Sequence, residues 1–320
     1  MSTAQSWEHE LQHWLEPFLS GLRHPARRRM CPLYVAGLIG PGERKSLQPI
    51  ALRLAPADYD QLHHFLAVSP WDETPLEAEL LTQANQLVGA ADAVLVIDDT
   101  ALPKKGTHSV GVARQYASAL GKNADCQTLV SLTLARNDVP VPISLRLFLP
   151  ETWTTDPDRL QRAGVPKAFW AARTKPEMAL CELRRILEAG VSFGVVVADA
   201  GYGIGAAFRQ ALSALGLLWA VGIPCLQKVY PADVQLVDAP PTRGRPRKTL
   251  IPDVKSVAAE VMLADASWHQ VTWRHGTKGP RGLACRGASQ VRRAQVLSLQ
   301  PAARHEAEAA GRNDQSTVGL

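Results

Sequence analysis

The sequence predicts an α/β protein: a mixed sheet flanked by helices, set behind a helical N-terminal region and carrying an insertion. Three observations predict it. Up to Gly89 the apolar residues recur at helical spacing. After Gly89 short runs rich in Val and Ile replace them, and from Phe193 the order becomes strand, helix, strand.

The helical region comes first. WEHELQHWLEPFLSGL (7–22) places Trp7, Leu11, Trp14, Leu15, Phe18 and Leu22 at helical spacing. APADYDQLHHFLAVSP (55–70) opens with Pro and Asp and keeps Leu62, Phe65 and Leu66 on one face. TPLEAELLTQANQLV (74–88) starts with Thr then Pro, with Glu77 three residues after Thr74, the pattern of a capped helix start. Strands follow: AVLVID (93–98), SVGVARQYA (109–117), TLVSLTLAR (128–136) and PISLRLFL (142–149), each bounded by Gly, Asn, Asp or Pro. KPEMALCELRRILEAG (175–190) reads as an amphipathic helix closed by Gly190. FGVVVADA (193–200) is a buried-type strand, IGAAFRQALSALG (204–216) a helix, and LLWAVGI (217–223) the next strand.

These elements define a helical region over 1–90, a sheet core over 91–224, and an insertion over 225–280 holding the Pro- and Arg-rich loop 238–253. From Arg281 to Leu320 there is no Phe, Tyr, Trp, Ile or Lys, so 281–320 is expected to be a poorly ordered tail.

Composition narrows the function classes. Of 320 residues, 46% are hydrophobic and 20% charged, which supports a sizeable core and excludes wholesale disorder. Lys plus Arg number 35 against 30 Asp plus Glu, a net +5 that permits a polyanionic partner. No apolar stretch reaches the roughly 18 residues of a membrane span, so no membrane partner is expected. MSTAQSWEHELQHW lacks a signal-peptide pattern, and the five Cys are spread without any C-x-x-C pair. A disulfide framework or Cys-rich zinc site is thereby excluded, and a cytoplasmic location is expected.

Two apolar strands end in acids. Asp98 and Asp99 lie where AVLVI runs out, and Asp199 ends VVVA. Open α/β sheets place their sites just outside strand ends. Brought together by neighbouring strands, these carboxylates would make an oxygen-rich site for Mg²⁺ or Mn²⁺. Two such ions can clamp the attacking and leaving oxygens of a phosphodiester displacement. The architectural alternative is that each Asp caps the turn or helix after it.

The glycines after Asp199 offer a rival function. Gly201-x-Gly203-x-x-Ala206 fits a dinucleotide fingerprint, which would make the protein a nucleotide-cofactor oxidoreductase. Against it, no acid occurs between 204 and 232 to hold a ribose, and Asp199 would repel the pyrophosphate. A backbone turning sharply beside a metal-bound Asp, or a purely structural turn, also explains these glycines.

Basic residues fall in three places. RHPARRR (23–29) includes Arg27, Arg28 and Arg29; RGRPRK (243–248) holds Arg243, Arg245, Arg247 and Lys248; and Lys104 and Lys105 follow the first acidic strand end. Arg-Gly-Arg-Pro can lie extended in an A·T minor groove, and the lysines can reach phosphate. The alternative for each is a solvated loop.

Six segments together carry a family resemblance: GLIGPGERKSLQPIA (37–51), HFLAVSPWD (64–72), VLVIDDTALPKKGTHSVGVARQYASALGKNADCQ (94–127), LFLPETWTTDPDRLQRAGVP (147–166), TKPEMAL (174–180) and VVVADAGYG (195–203). The chain resembles DDE-superfamily insertion-sequence transposases from about residue 20 to about residue 280. The resemblance implies an RNase H-like catalytic domain, Mg²⁺ or Mn²⁺ held by Asp, Asp and Glu, and double-stranded DNA as substrate, with a homodimer on DNA as a compatible assembly. It puts the first acid at Asp98 or Asp99, with Asp99 slightly favoured because a Thr follows it, and the second at Asp199.

One part of the family pattern is missing. The third acid belongs to a late Tyr-x-x-Arg-x-x-x-Glu pattern, and nothing here matches it. After Asp199 the glutamates are Glu260, which comes too early, and Glu306 and Glu308, which lack the Tyr and Arg companions. A frame shift near residue 281 would explain the change. The chain is therefore expected to be catalytically defective as written, with a truncated DNA-binding repressor of transposition as the alternative.

Overall fold

The computed structural model describes residues 3–69, 72–117, 120–231, 233–238, 250–262, 270–276, 279–284 and 296–299. It divides into two compact units, Met1–Leu87 and Val88–Leu320.

The first unit is helical: α1 (Thr3–Gly21), α2 (Pro25–Ile39), α3 (Leu47–Leu54), α4 (Tyr59–Ala67) and α5 (Thr74–Val88), the last reaching the unit boundary. Its core gathers Met30, Ile50, Ala51, Leu62 and Phe65. The basic run 23–29 begins α2. His24 caps the helix by accepting from the Ala26 N–H, and Pro25 takes the first turn, where no N–H is needed. A Cβ on Gly37 would run into the Ile50 side chain, so glycine lets α2 and α3 approach.

The second unit begins with β1 (Val94–Pro103), β2 (Ala113–Ala117), β3 (Lys122–Arg136) and β4 (Val139–Leu147), followed by the short helices α6 (Glu151–Thr154) and α7 (Pro157–Arg162). Next come α8 (Lys175–Glu188), β5 (Val195–Ala198), α9 (Ala200–Gly203), α10 (Ala206–Ala214) and β6 (Trp219–Ile223). The expected insertion contains β7 (Lys228–Val229), β8 (Leu236–Val237), β9 (Ile251–Pro252), β10 (Val257–Ala258), α11 (Ala259–Met262) and β11 (Gln270–Gly276). β12 (Gly279–Ala284) and β13 (Val296–Leu299) come last.

The central sheet has seven strands in the order β13-β6-β5-β1-β3-β2, with β4 also paired to β3. β1, β5 and β6 are mutually parallel, β3 runs against β1, and β4 runs against β3. Across β4-β3-β1-β5-β6 only β3 is reversed, which is the RNase H-like arrangement. The parallel strands are apolar because both their faces are covered: every residue of β6 is buried. α8 packs Ala179, Leu183 and Ile186 inward, starts with a Thr174–Glu177 capping box, and is followed by Gly190 at φ +74°.

One strand within 281–320 pairs with the sheet. Val296–Leu299 pairs antiparallel with β6, from Val296 opposite Ile223 to Leu299 opposite Ala220. Its residues are few, but main-chain pairing needs no aromatic anchor, which is why composition did not reveal it.

Candidate active site

The sheet brings two of the acids side by side. β1 and β5 pair in parallel register from Val94 opposite Val195 to Ile97 opposite Ala198, and the next residues along the two strands are Asp98 and Asp199. Both acids emerge where the apolar, buried stretch of each strand ends.

Asp199 also acts as a helix cap. Its Oδ1 accepts from the Gly201 N–H at 2.9 Å and the Tyr202 N–H at 3.3 Å, which starts α9. These are the amides a pyrophosphate would need. Neither Gly201 nor Gly203 takes a left-handed φ. Instead a Cβ on Gly203 would overlap the Gly222 carbonyl oxygen of β6, so Gly203 serves close approach, while a Cβ on Gly201 would meet only the Asp199 carboxylate.

Asp98 and Asp99 point to opposite faces, as neighbours on a strand must. Asp99 is engaged at both oxygens: Lys175 Nζ lies 2.5 Å from Oδ2, and the Tyr202 hydroxyl donates to Oδ1 at 2.5 Å. Among the described residues, Asp98 receives only the Asp99 N–H on Oδ1, at 2.7 Å. Partial desolvation pushes the Asp98 carboxyl above the usual carboxylate range; that N–H bond opposes the shift, and the charges of Asp199 and Asp99 add to it. Asp99 thus already has an internal cation and a hydroxyl donor, which Asp98 lacks among the described residues.

Tyr202 ties the two strand ends together. Its backbone N–H goes to Asp199 and its hydroxyl to Asp99. Burial pushes the phenol well above its ordinary value, as do the bond to Asp99 and the charges of all three aspartates, so it stays a donor. Lys175 and Tyr202 were missed in the sequence. They lie 76 and 103 residues from Asp99, and only their places in TKPEMAL and ADAGYG hinted at a role.

A family model for the DDE superfamily endonuclease matches residues 17–280. The chain belongs to this family. It is similar to a probable transposase for insertion sequence element IS701 of Microchaete diplosiphon, at 31% identity over 188 residues, which is 58% of this chain and 46% of that protein. The chain thus spans about half the length of the curated relative it matches. A solved structure, the Drosophila P element transposase strand transfer complex, shares 17% identity at a TM-score of 0.18, covering 64% of this chain and 43% of that one. A likeness that slight carries no argument.

For a DDE endonuclease the donor chemistry fits. Asp98 and Asp199 offer only carboxylate oxygens, the ligand type of hard divalent cations, and their mutual repulsion is what such a cation relieves. Among the described residues, no group of three or more His, Cys, Asp or Glu is placed to hold a metal. Glu260 has its N–H on the Cys225 carbonyl at 3.0 Å, just past β6, with its side chain exposed. Glu306 and Glu308 lie outside the described residues.

The basic residues are placed differently from one another. Lys104 and Lys105 are exposed in the loop after β1. Arg27 donates to Ser69 Oγ at 2.8 Å, Arg28 to the Ser20 carbonyl at 3.4 Å, and Arg29 to Asp58 at 2.7 Å and Gln61 at 2.6 Å. Arg243, Arg245, Arg247 and Lys248 lie outside the described residues. No described helix is long and apolar enough to cross a membrane.

Proposed function

We propose that this chain carries the catalytic core of an insertion-sequence transposase that cuts and joins double-stranded DNA with Mg²⁺ or Mn²⁺. The observation that supports it is the pair Asp98 and Asp199, on facing ends of neighbouring parallel strands and crowding each other's charge. These two carboxylates would hold the cation, which when bound offsets the negative charge that develops on the phosphoryl oxygens during in-line displacement. Asp99 is a positioning residue. Lys175 and Tyr202 fix it on one face of β1, which fixes Asp98 on the other. Lys104 and Lys105, with Arg243, Arg245, Arg247 and Lys248, track backbone phosphates.

The 320-residue polypeptide alone brings two of the three family acids, since no Tyr-x-x-Arg-x-x-x-Glu pattern comes after Asp199. Small misplacements of reacting groups cost about a hundredfold in rate, so strand transfer by this polypeptide is slowed at least that much. The second reading is that it occupies element ends without cutting them.

Calorimetric titration with Mn²⁺ tests the site. The chain binds the ion, and Asp98→Asn or Asp199→Asn weakens binding at least about tenfold. Unchanged affinity in Asp199→Asn sinks the site. A nicking assay on duplex DNA with Mn²⁺ then separates the two roles: cleavage supports residual catalysis, and binding without cleavage supports occupation.

A further inference from the structure

The loop between β1 and β2 and the helix α7 enclose a cleft of about 540 Å³ lined by Thr107, His108, Trp153, Arg159, Arg162 and Ala163. Its lining carries two arginines and no carboxylate, and includes none of Asp98, Asp99 and Asp199.

Arg159 is held in place there. Its guanidinium lies 3.7 Å from the centre of the Trp153 ring, its Nη2 donates to the Thr107 carbonyl at 2.9 Å, and its Nη1 to the Thr152 carbonyl at 3.4 Å. Trp153 is itself buried and fixed, its indole N–H donating to the Val112 carbonyl at 2.8 Å. Carbonyl partners orient a guanidinium without cancelling its charge, and the fork keeps further N–H donors to spare. Arg162 stands three residues on along α7, on the same side of the helix and exposed. A cation clamped on an aromatic ring beside a second, exposed cation is prepared to receive an anion with little ordering cost.

Position identifies the anion. β1 runs on from Asp99 to Pro103 before the loop begins. At about 3.3 Å per residue the loop starts about 13 Å beyond Asp99. That is about four nucleotides along a DNA strand at roughly 3.4 Å each. Lys104 and Lys105, both exposed, lie at the start of this same loop.

We propose that the cleft between the β1–β2 loop and α7 binds a backbone phosphate of duplex DNA flanking the cut, with Arg159 and Arg162 as its cations. The assignment rests on the transposase reading and adds a place for the flanking DNA.

The test measures affinity of the full chain for a random-sequence duplex as salt is raised. Arg162→Ala, an exposed change, should lower the slope of log affinity against log salt by about 0.9, the share of one phosphate contact. Arg162→Glu should lower affinity further. Arg184→Ala removes the same charge from an exposed position on α8 and should leave the slope alone. If Arg162→Ala keeps the wild-type slope, or Arg184→Ala loses as much, the cleft is not the contact, while DNA binding by the wild type leaves the transposase reading standing. If the wild type binds no duplex at all, both ideas fall together.

Discussion

Glu182 and Asp98 are carboxylates of the same unit, and their surroundings push them in opposite directions. Glu182, on α8, is buried against Arg146 Nε at 2.8 Å and Arg185 Nη2 at 2.9 Å, and it accepts from the Ser144 hydroxyl at 2.8 Å. Burial alone would raise its pKa, but the bonds from Arg146 and Ser144 and the charges of both arginines outweigh it and hold the carboxyl below its ordinary value. Asp98 is raised instead, with other acids for company. An acid that the chain supplies with cations is architecture. On the function proposed above, Asp98, an acid without a cation of its own among the described residues, is kept for a charge from outside.

That contrast can be broken at three points. The largest effect is expected from Glu182→Ala, which leaves two guanidinium groups and a hydroxyl facing a gap. It should cost about 3 kcal/mol, read as a lower Tm at neutral pH. A loss under about 0.5 kcal/mol would make the cluster ornamental and erase the contrast.

A smaller effect is expected with pH. Because the folded pKa of Glu182 lies below its ordinary 4.5, its stabilisation is complete above that pH and is lost as pH falls through the lower, folded value. Denaturant melts of the wild type and Glu182→Gln at stepped pH should converge below 4.5. Curves that stay parallel down to the acid limit would mean that Glu182 is not held ionised by its arginines.

The smallest effect carries the opposite sign. Asp98→Asn, melted with a chelator present, should raise stability by up to about 0.5 kcal/mol once solvent screening of this exposed group is allowed for. A lower Tm would show that Asp98 is a structural acid like Glu182.

Much of the core was legible because burial writes it into composition. VLVI and VVVA are apolar since they run parallel inside the sheet, and the acids mark where each strand reaches water. Boundaries were less legible. β1 continues through polar Asp98–Thr100 to Pro103 because β3 supplies partners as far as Cys126, and a partner strand is invisible in local sequence. The helix expected over 204–216 starts only at Ala206, because Ala200–Gly203 winds its own turn on the Asp199 cap. α2 was hidden behind its arginines, although His24 and Pro25 formed a start signal. The choice between Asp98 and Asp99 could not be read, since it depends on Lys175 and Tyr202 arriving from distant elements.

β13 has a consequence for how the polypeptide behaves in a crowded cell. Without it, β6 would end the sheet with a bare row of N–H and C=O groups, a template for any passing extended chain. Val296–Leu299 covers that row, yet these four residues lie outside the stretch matched by the family, which stops at 280. Main-chain ladders carry no side-chain address, so almost any extended segment can serve as such a cover. By the same token, a proline placed among those four residues would leave one molecule's sheet free to continue into the next, and self-association would be decided by a scrap of sequence with no part in the chemistry.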